Sequence, residues 1–182
     1  MTIHSQLVAL LLFATTALSP EVLRARHAGT KSLSAEIVQT KEGRYWARPL
    51  VSHIRLTWTP QRMEWLTRDP VPSRVVIEGG HIVVSGGAGS RDLRAAEADP
   101  RFAALLRLLQ ALAAFDLEAL QQDHALAWGG RDVVATPTTK SGAALLTRIR
   151  LVFDDDAEIR LIELTMPSEV TRLEFQRVER TR

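Results

Sequence analysis

Residues 54–67, IRLTWTPQRMEWLT, alternate apolar and polar side chains on both sides of one proline, and no other stretch of the chain restricts the fold as much. Strict alternation is the period of a strand with one dry face and one wet face. Pro60 suits the second position of a type I turn over Thr59-Pro60-Gln61-Arg62. A two-residue turn there pairs Trp58 with Met63, Leu56 with Trp65 and Ile54 with Thr67 on one face, and leaves Arg55, Thr57 and Glu64 on the other. The hairpin thus devotes a flat apolar wall, two tryptophans included, to one side of a sheet.

Similar signs recur along the chain. Ser19-Pro20-Glu21 has the order of an N-cap, a proline in the first helical position and a first-turn acid, and Gly29 is a stop, so a short helix is predicted over 20–28. SLSAEIVQT at 32–40 alternates as a strand, and a loop follows through Gly43 to Pro49. DPVPS breaks the alternation after the first hairpin, and RVVIEGGHIVVSGG makes a second one around Gly79-Gly80. The period then changes. In PRFAALLRLLQALAAF, residues 100–115, Asp99-Pro100 opens a helix with Phe102, Leu105, Leu106, Leu109, Leu112 and Ala113 at helical spacing. Asp116 begins a further short helix, LEALQQ.

From Ala125 the strand signals return in ALAWGGRDVVATP, ALLTRIRLVF, EIRLIELTM and TRLEFQRV. Turns are predicted at Gly129-Gly130, from Thr138 to Gly142, from Asp154 to Ala157 and at Pro167-Ser168. The order is helix, five strands, one or two helices, four strands. Runs of strands interrupted by a helix imply an α+β fold, an antiparallel sheet with helices on one face. A sheet about eight or nine strands wide curls strongly.

A chain of 182 residues fits one domain, and 46% hydrophobic residues are enough for a core. The formal net charge is +2, lysine occurs only at Lys31, Lys41 and Lys140, and the arginines are scattered among acids. That distribution lacks the basic stripe of a nucleic-acid site. The first twenty residues, MTIHSQLVALLLFATTALSP, contain no acid, Lys or Arg, and residues 7–14 are apolar. They read as a secretory signal over 1–17, cut after Ala17 or as late as residue 19; a buried helix opening the domain is the competing reading. Residues 18–182 then form a single domain. Cysteine is absent, so disulfides, thiolate metal sites, thiol nucleophiles and a lipid-modified N-terminal Cys are not expected, and the exported protein is expected to be soluble in the periplasm.

Catalysis finds no positive support. His4, His27, His53, His81 and His124 form no paired-ligand spacing. Asp154-Asp155-Asp156 with Glu158 lacks EF-hand spacing and reads as a solvated hairpin tip. GGAGS at 86–90 lacks the Lys-Ser/Thr ending of a phosphate-binding loop and reads as a flexible connection before the central helix; no serine stands in a GxSxG elbow. No cofactor, metal site or enzymatic activity is therefore expected. The central helix interrupts two blocks of strands and would lie across the concave side of the curled sheet, as a plug or lid.

The order of these motifs resembles the periplasmic outer-membrane lipoprotein carrier family (LolA-like). The likeness runs from about Pro20 to Val178: a first helix, a strand ending Ile37-Val38-Gln39, a strand-Pro-strand hairpin with Trp, and a strand pair around Ile77-Glu78-Gly79-Gly80. TWTPQRMEW and the Ala/Leu-rich central helix are similar to the variant associated with glycolipid or aryl-polyene export. The family's carriers have an Arg before the hairpin Pro that helps latch the lid; here Thr59 stands there, with Arg62 just after the turn, so lipoprotein as cargo does not follow. The resemblance implies a strongly curved, half-open antiparallel β-barrel with helices in its concave mouth. It would be a monomeric periplasmic carrier of acyl chains, taking lipid or lipoprotein from an inner-membrane exporter to an outer-membrane acceptor. The lipid-binding candidates are Ile54, Leu56, Trp58, Met63, Trp65, Val75 and Ile77 on the wall, with Phe102, Leu105, Leu106 and Leu109 on the helix that covers it. The barrel is then expected to enclose more apolar volume than its own side chains fill. A non-enzymatic envelope scaffold with a filled barrel is the alternative.

Overall fold

The computed structural model describes residues 18–79, 81–87, 89–92, 108 and 110–182. The predicted signal at 1–17 and the helix positions Phe102, Leu105, Leu106 and Leu109 lie outside the described residues.

Helix α1, Pro20–His27, starts as its sequence dictates: the Ser19 hydroxyl accepts the Val22 N–H at 3.3 Å, Pro20 fills the first turn, and Glu21 stands near the positive end of the helix dipole. It leads into β1, Ser32–Gly43, and then a meander of β2 (Leu50–Thr59), β3 (Arg62–Asp69), β4 (Ser73–Glu78), β5 (His81–Gly86) and β6 (Gly89–Asp92). A second series follows: α2 (Leu117–Asp123), β7 (His124–Gly129), β8 (Asp132–Pro137), α3 (Lys140–Leu145), β9 (Arg148–Phe153), β10 (Ile159–Thr165) and β11 (Glu169–Thr181). Residues 110–114 are helical and form the described end of the central helix.

All eleven strands join one antiparallel sheet in the order β6-β5-β4-β3-β2-β1-β11-β10-β9-β8-β7. The two meanders are sewn together by the long pairing of β1 with β11, from Ser32↔Thr181 to Gly43↔Glu169. β6 and β7 are the outer strands, so the curled sheet stays open as a half-barrel. Side chains of alternate residues meet on its inner face, where Leu33, Ala35, Ile37, Ile54, Leu56, Met63, Ile77, Val133, Ile149, Leu151 and Leu173 belong to one buried cluster with α1, the 110–114 turn and α2.

The first hairpin has the predicted register, with Trp58↔Met63, Leu56↔Trp65 and Ile54↔Thr67, and the turn of β4–β5 has Gly79 at φ +56, a backbone region that favours glycine. Three expectations need correction. The sheet has eleven strands, because GGAGS is not a loop before a helix: Gly86 pairs with Gly89 and β6 adds an edge strand. ALAWGGRDVVATP, counted as one strand, is two, β7 and β8, folded at the predicted Gly129-Gly130 turn. Residues 140–145, predicted as a turn passing into strand, are α3, because the Thr139 hydroxyl caps a helix by accepting the Gly142 N–H at 3.1 Å.

Candidate functional site

Cross-strand register arranges the inner face into rows. One row runs Ile82, Ile77, Met63, Trp58, Leu33 over five neighbouring strands, and the next runs Val84, Val75, Trp65, Leu56, Ala35. Six of the seven wall candidates stand in these rows; Ile54 continues the same face, opposite Ile37. Ile54, Leu56, Met63 and Ile77 are buried, while Trp58, Trp65 and Val75 are half-buried against the same cluster.

The opposite face is wet. Glu64 receives hydrogen bonds from Arg62 at 3.0 Å and from Arg74 at 2.8 and 2.9 Å, and the Arg74 and Arg62 guanidiniums hold its carboxyl down at about 2. Glu36 sits between Arg55 and Arg68, and Arg172 between Glu42 and Glu163. Such exposed pairs contribute little stability, but they keep this face in water.

Over the rows lies the 110–114 turn, with Ala111, Leu112 and Ala113 buried. It ends in an unusual way. The Phe115 N–H donates to the Leu112 carbonyl at 3.3 Å and the Asp116 N–H to the Ala111 carbonyl at 2.9 Å, the paired bonds of a Schellman motif, yet the left-handed position belongs to Phe115 at φ +53 and not to glycine. That backbone costs a residue with a Cβ about 1 kcal/mol. Ring contacts offset it: Phe115 stacks on His27 with centroids 4.5 Å apart and planes at 15°, and meets Phe153 edge-on at 6.4 Å. Asp116 then caps α2 by accepting the Ala119 N–H at 3.0 Å.

Beneath the turn is an apolar cavity of about 40 Å³ between Leu33, Leu56, Met63 and Trp65 on one side and Ile162, Leu164, Leu173 and Phe175 on the other, roofed by Leu112, Ala113 and Phe115. Room for a drug-sized ligand begins near ~300 Å³, well above the 40 Å³ found here. Among the described residues, this cavity is the room left directly beneath the turn. A larger groove, about 390 Å³, separates the hairpin tip at Trp58–Met63 and Ile77 from Gln110, Ala111, Ala114 and α2.

Among the described residues, no group of three His, Asp or Glu side chains is placed to hold a metal ion, and no helix is long and apolar enough to cross a membrane. His53 pairs with Asp69 at 2.8 Å on the surface, and the DDD run is a hairpin tip with Asp154 bound to Arg160 and Asp155 to Arg131. Sequence reasoning took His27 for an ordinary position; it is buried, and burial followed by the nearby Arg180 charge lowers its pKa to about 4. Phe115 and Arg180 were missed as well. The hints were slight: a Phe just before the Asp116 cap, and an Arg near the end of a long strand.

An open antiparallel half-barrel with a helix turn seated on its apolar inner face is the class of protein these observations define. No protein-family model matches the chain, and no curated protein matches it in sequence. Solved structures with similar folds include a LolA superfamily protein from Nitrosomonas europaea, at 8% identity and TM-score 0.44 over 91% of this chain and 95% of that one. A DUF1329 family protein from Desulfovibrio piger is 10% identical with TM-score 0.48 over 88% and 90%. The lipoprotein LppX from Mycobacterium tuberculosis is 11% identical with TM-score 0.44 over 87% and 95%. Likeness this distant carries no information on ligand or activity.

Proposed function

We propose that the protein is a periplasmic carrier, exported by its first 17 or so residues, that takes up the acyl chains of a lipid or lipoprotein in its half-barrel and moves them from an inner-membrane donor towards an outer-membrane acceptor. The observation that carries this reading is the pair of apolar rows on the inner face, continuous over five strands and roofed by a short turn whose end is held in a strained backbone. The order of sequence motifs described above points the same way.

A C16 chain leaving water is worth on the order of 12 kcal/mol, at about 0.8 per methylene, so a carrier needs a dry surface of matching reach. Ile54, Leu56, Trp58, Met63, Trp65, Val75 and Ile77 supply it when the turn moves aside, and the turn covers it when no lipid is present. Uptake is then an exchange of Leu112 and Ala113 for methylenes, and release requires only an acceptor with higher affinity. Delipidated, refolded protein is expected to bind a fluorescent C16 fatty acid saturably, and Trp65→Glu to abolish that binding while the fold is retained. A flat titration of the wild-type protein overturns the carrier.

The 40 Å³ cavity favours a second reading, a scaffold whose barrel is permanently filled by its own helix. Native mass spectrometry of protein taken from its own envelope separates the two: co-purified lipid supports the carrier, and its absence in every preparation supports the scaffold.

A further inference from the structure

At one end of the inner face the apolar row meets a positive charge. Leu33, which lines the apolar cavity, stands directly across from Arg180, so Ile82, Ile77, Met63, Trp58 and Leu33 are followed on the sixth strand by a guanidinium. The Arg180 side chain is 10% exposed. It hydrogen-bonds Glu158, and its guanidinium carbon lies 5.1 Å from the centroid of Phe115, the ring that roofs the cavity. Its Nε and Nη2 groups have no hydrogen-bond partner among the described residues. A buried guanidinium with two unused donors is costly, because a charged group taken from water needs replacement partners.

Next to this side chain is a pocket of about 430 Å³ lined by Arg26, Glu158, Val178, Arg180 and Arg182. Arg26 donates to Glu158 at 3.0 Å, and Arg182 donates to the Arg26 carbonyl at 3.0 Å. Two guanidiniums, those of Arg26 and Arg180, thus share the Glu158 carboxylate and a third, Arg182, lines the same pocket; planar guanidiniums match the oxygens of phosphate and carboxylate. Val178 connects this pocket to the apolar face, where it stands opposite Ala35.

We propose that Arg26, Arg180 and Arg182 bind the anionic head, phosphate or carboxylate, of an amphiphile whose chain occupies the apolar rows. This assignment rests on the acyl-carrier reading and narrows it to anionic ligands. The head takes its place in the arginine pocket against the guanidiniums that line it, while the chain enters on the cavity side of Phe115.

The test is a titration of the delipidated full chain with three probes of one C16 chain length, lysophosphatidate, palmitate and monopalmitoylglycerol, and with inorganic phosphate alone. The charged probes are expected to bind at least about tenfold tighter than the neutral one, and R180Q to reduce that preference below about threefold with the neutral probe unchanged. R182Q removes an exposed side chain and spares the Glu158 pair; it is expected to reduce the preference about threefold, which keeps the proposal testable if R180Q does not fold. Equal binding of all three lipids, or a preference untouched by either variant, overturns the arginine assignment and leaves the carrier standing. Failure of every lipid to bind overturns both. Inorganic phosphate binding as tightly as lysophosphatidate overturns the amphiphile in favour of a free-anion site.

Discussion

Phe115 and His27 stack with centroids 4.5 Å apart, and through that contact the end of the central helix is fastened to the last turn of α1. The backbone of Phe115 is left-handed, so the ring must hold in place a conformation that glycine would adopt without cost. Replacing the ring separates the two effects. Phe115→Ala loses the stacking and keeps the strain, and is expected to destabilise the fold by about 3 kcal/mol. Phe115→Gly loses the same ring and relieves the backbone, and is expected to cost about 1 kcal/mol less. Urea unfolding of both variants measures the difference; a glycine variant less stable than the alanine variant contradicts the account.

His27 makes stability depend on pH. Burial, with Arg180 nearby, brings its pKa from 6.5 to about 4. Between those values the unfolded chain binds a proton that the folded protein does not, so stability rises with pH there. The contribution is complete above pH 6.5 and is lost as the pH falls towards 4, about 3 kcal/mol in all. Thermal unfolding at pH 4.5 and 7.5 is expected to show a smaller difference in His27→Leu than in the wild type. Equal pH dependence in the two proteins means that other groups carry it.

Leu112 tests whether the turn is a lid or simply core. It is buried at 7% exposure and roofs the cavity. Leu112→Ala is expected to lower the stability of the ligand-free protein by about 2 to 3 kcal/mol. If the turn competes with lipid for the same rows, weakening it favours the open form, and fatty-acid affinity rises by about fivefold for each ~1 kcal/mol removed from docking alone. A core role predicts unchanged or weaker binding in the same titration.

On the outer face, Glu64→Gln serves as a contrast. Glu64 joins Arg62 to Arg74 at the surface, and its carboxyl is held at about 2 by those guanidiniums. Exposed networks of this kind are screened by solvent, so the substitution is expected to cost less than about 1 kcal/mol near neutral pH and to leave lipid binding unchanged. Because the folded pKa is depressed, that small contribution is present above the unfolded value of 4.5 and is lost as the pH falls towards 2. A binding defect in this variant would mean that the outer face takes part in uptake.

Local rules were enough for much of the sheet. Period-two alternation and the turn at Pro60 and Gln61 determined the partners Trp58↔Met63 and Leu56↔Trp65, since a two-residue turn leaves one register and each side chain's face follows from its parity. The Ser19 cap and Pro20 likewise determined where α1 begins, because the orphan N–H groups of a first helical turn are satisfied by neighbours in sequence.

What tertiary structure alone decided depends on contacts between residues far apart in the chain. β1 meets β11 across some 140 residues, and the register shifts at Glu36/Ile37, where an irregularity carries one extra residue on the β11 side. Continued alternation from Leu173 and Phe175 would have put Arg177 and Glu179 inside; the shift puts Val178 and Arg180 there instead. The same assembly brings His27, Phe115 and Arg180 together from three distant segments and seats the helix turn over the apolar cavity. Alternation along one strand specifies which side chains share a face, but a bulge changes the parity, and only the partner strand determines where the bulge falls.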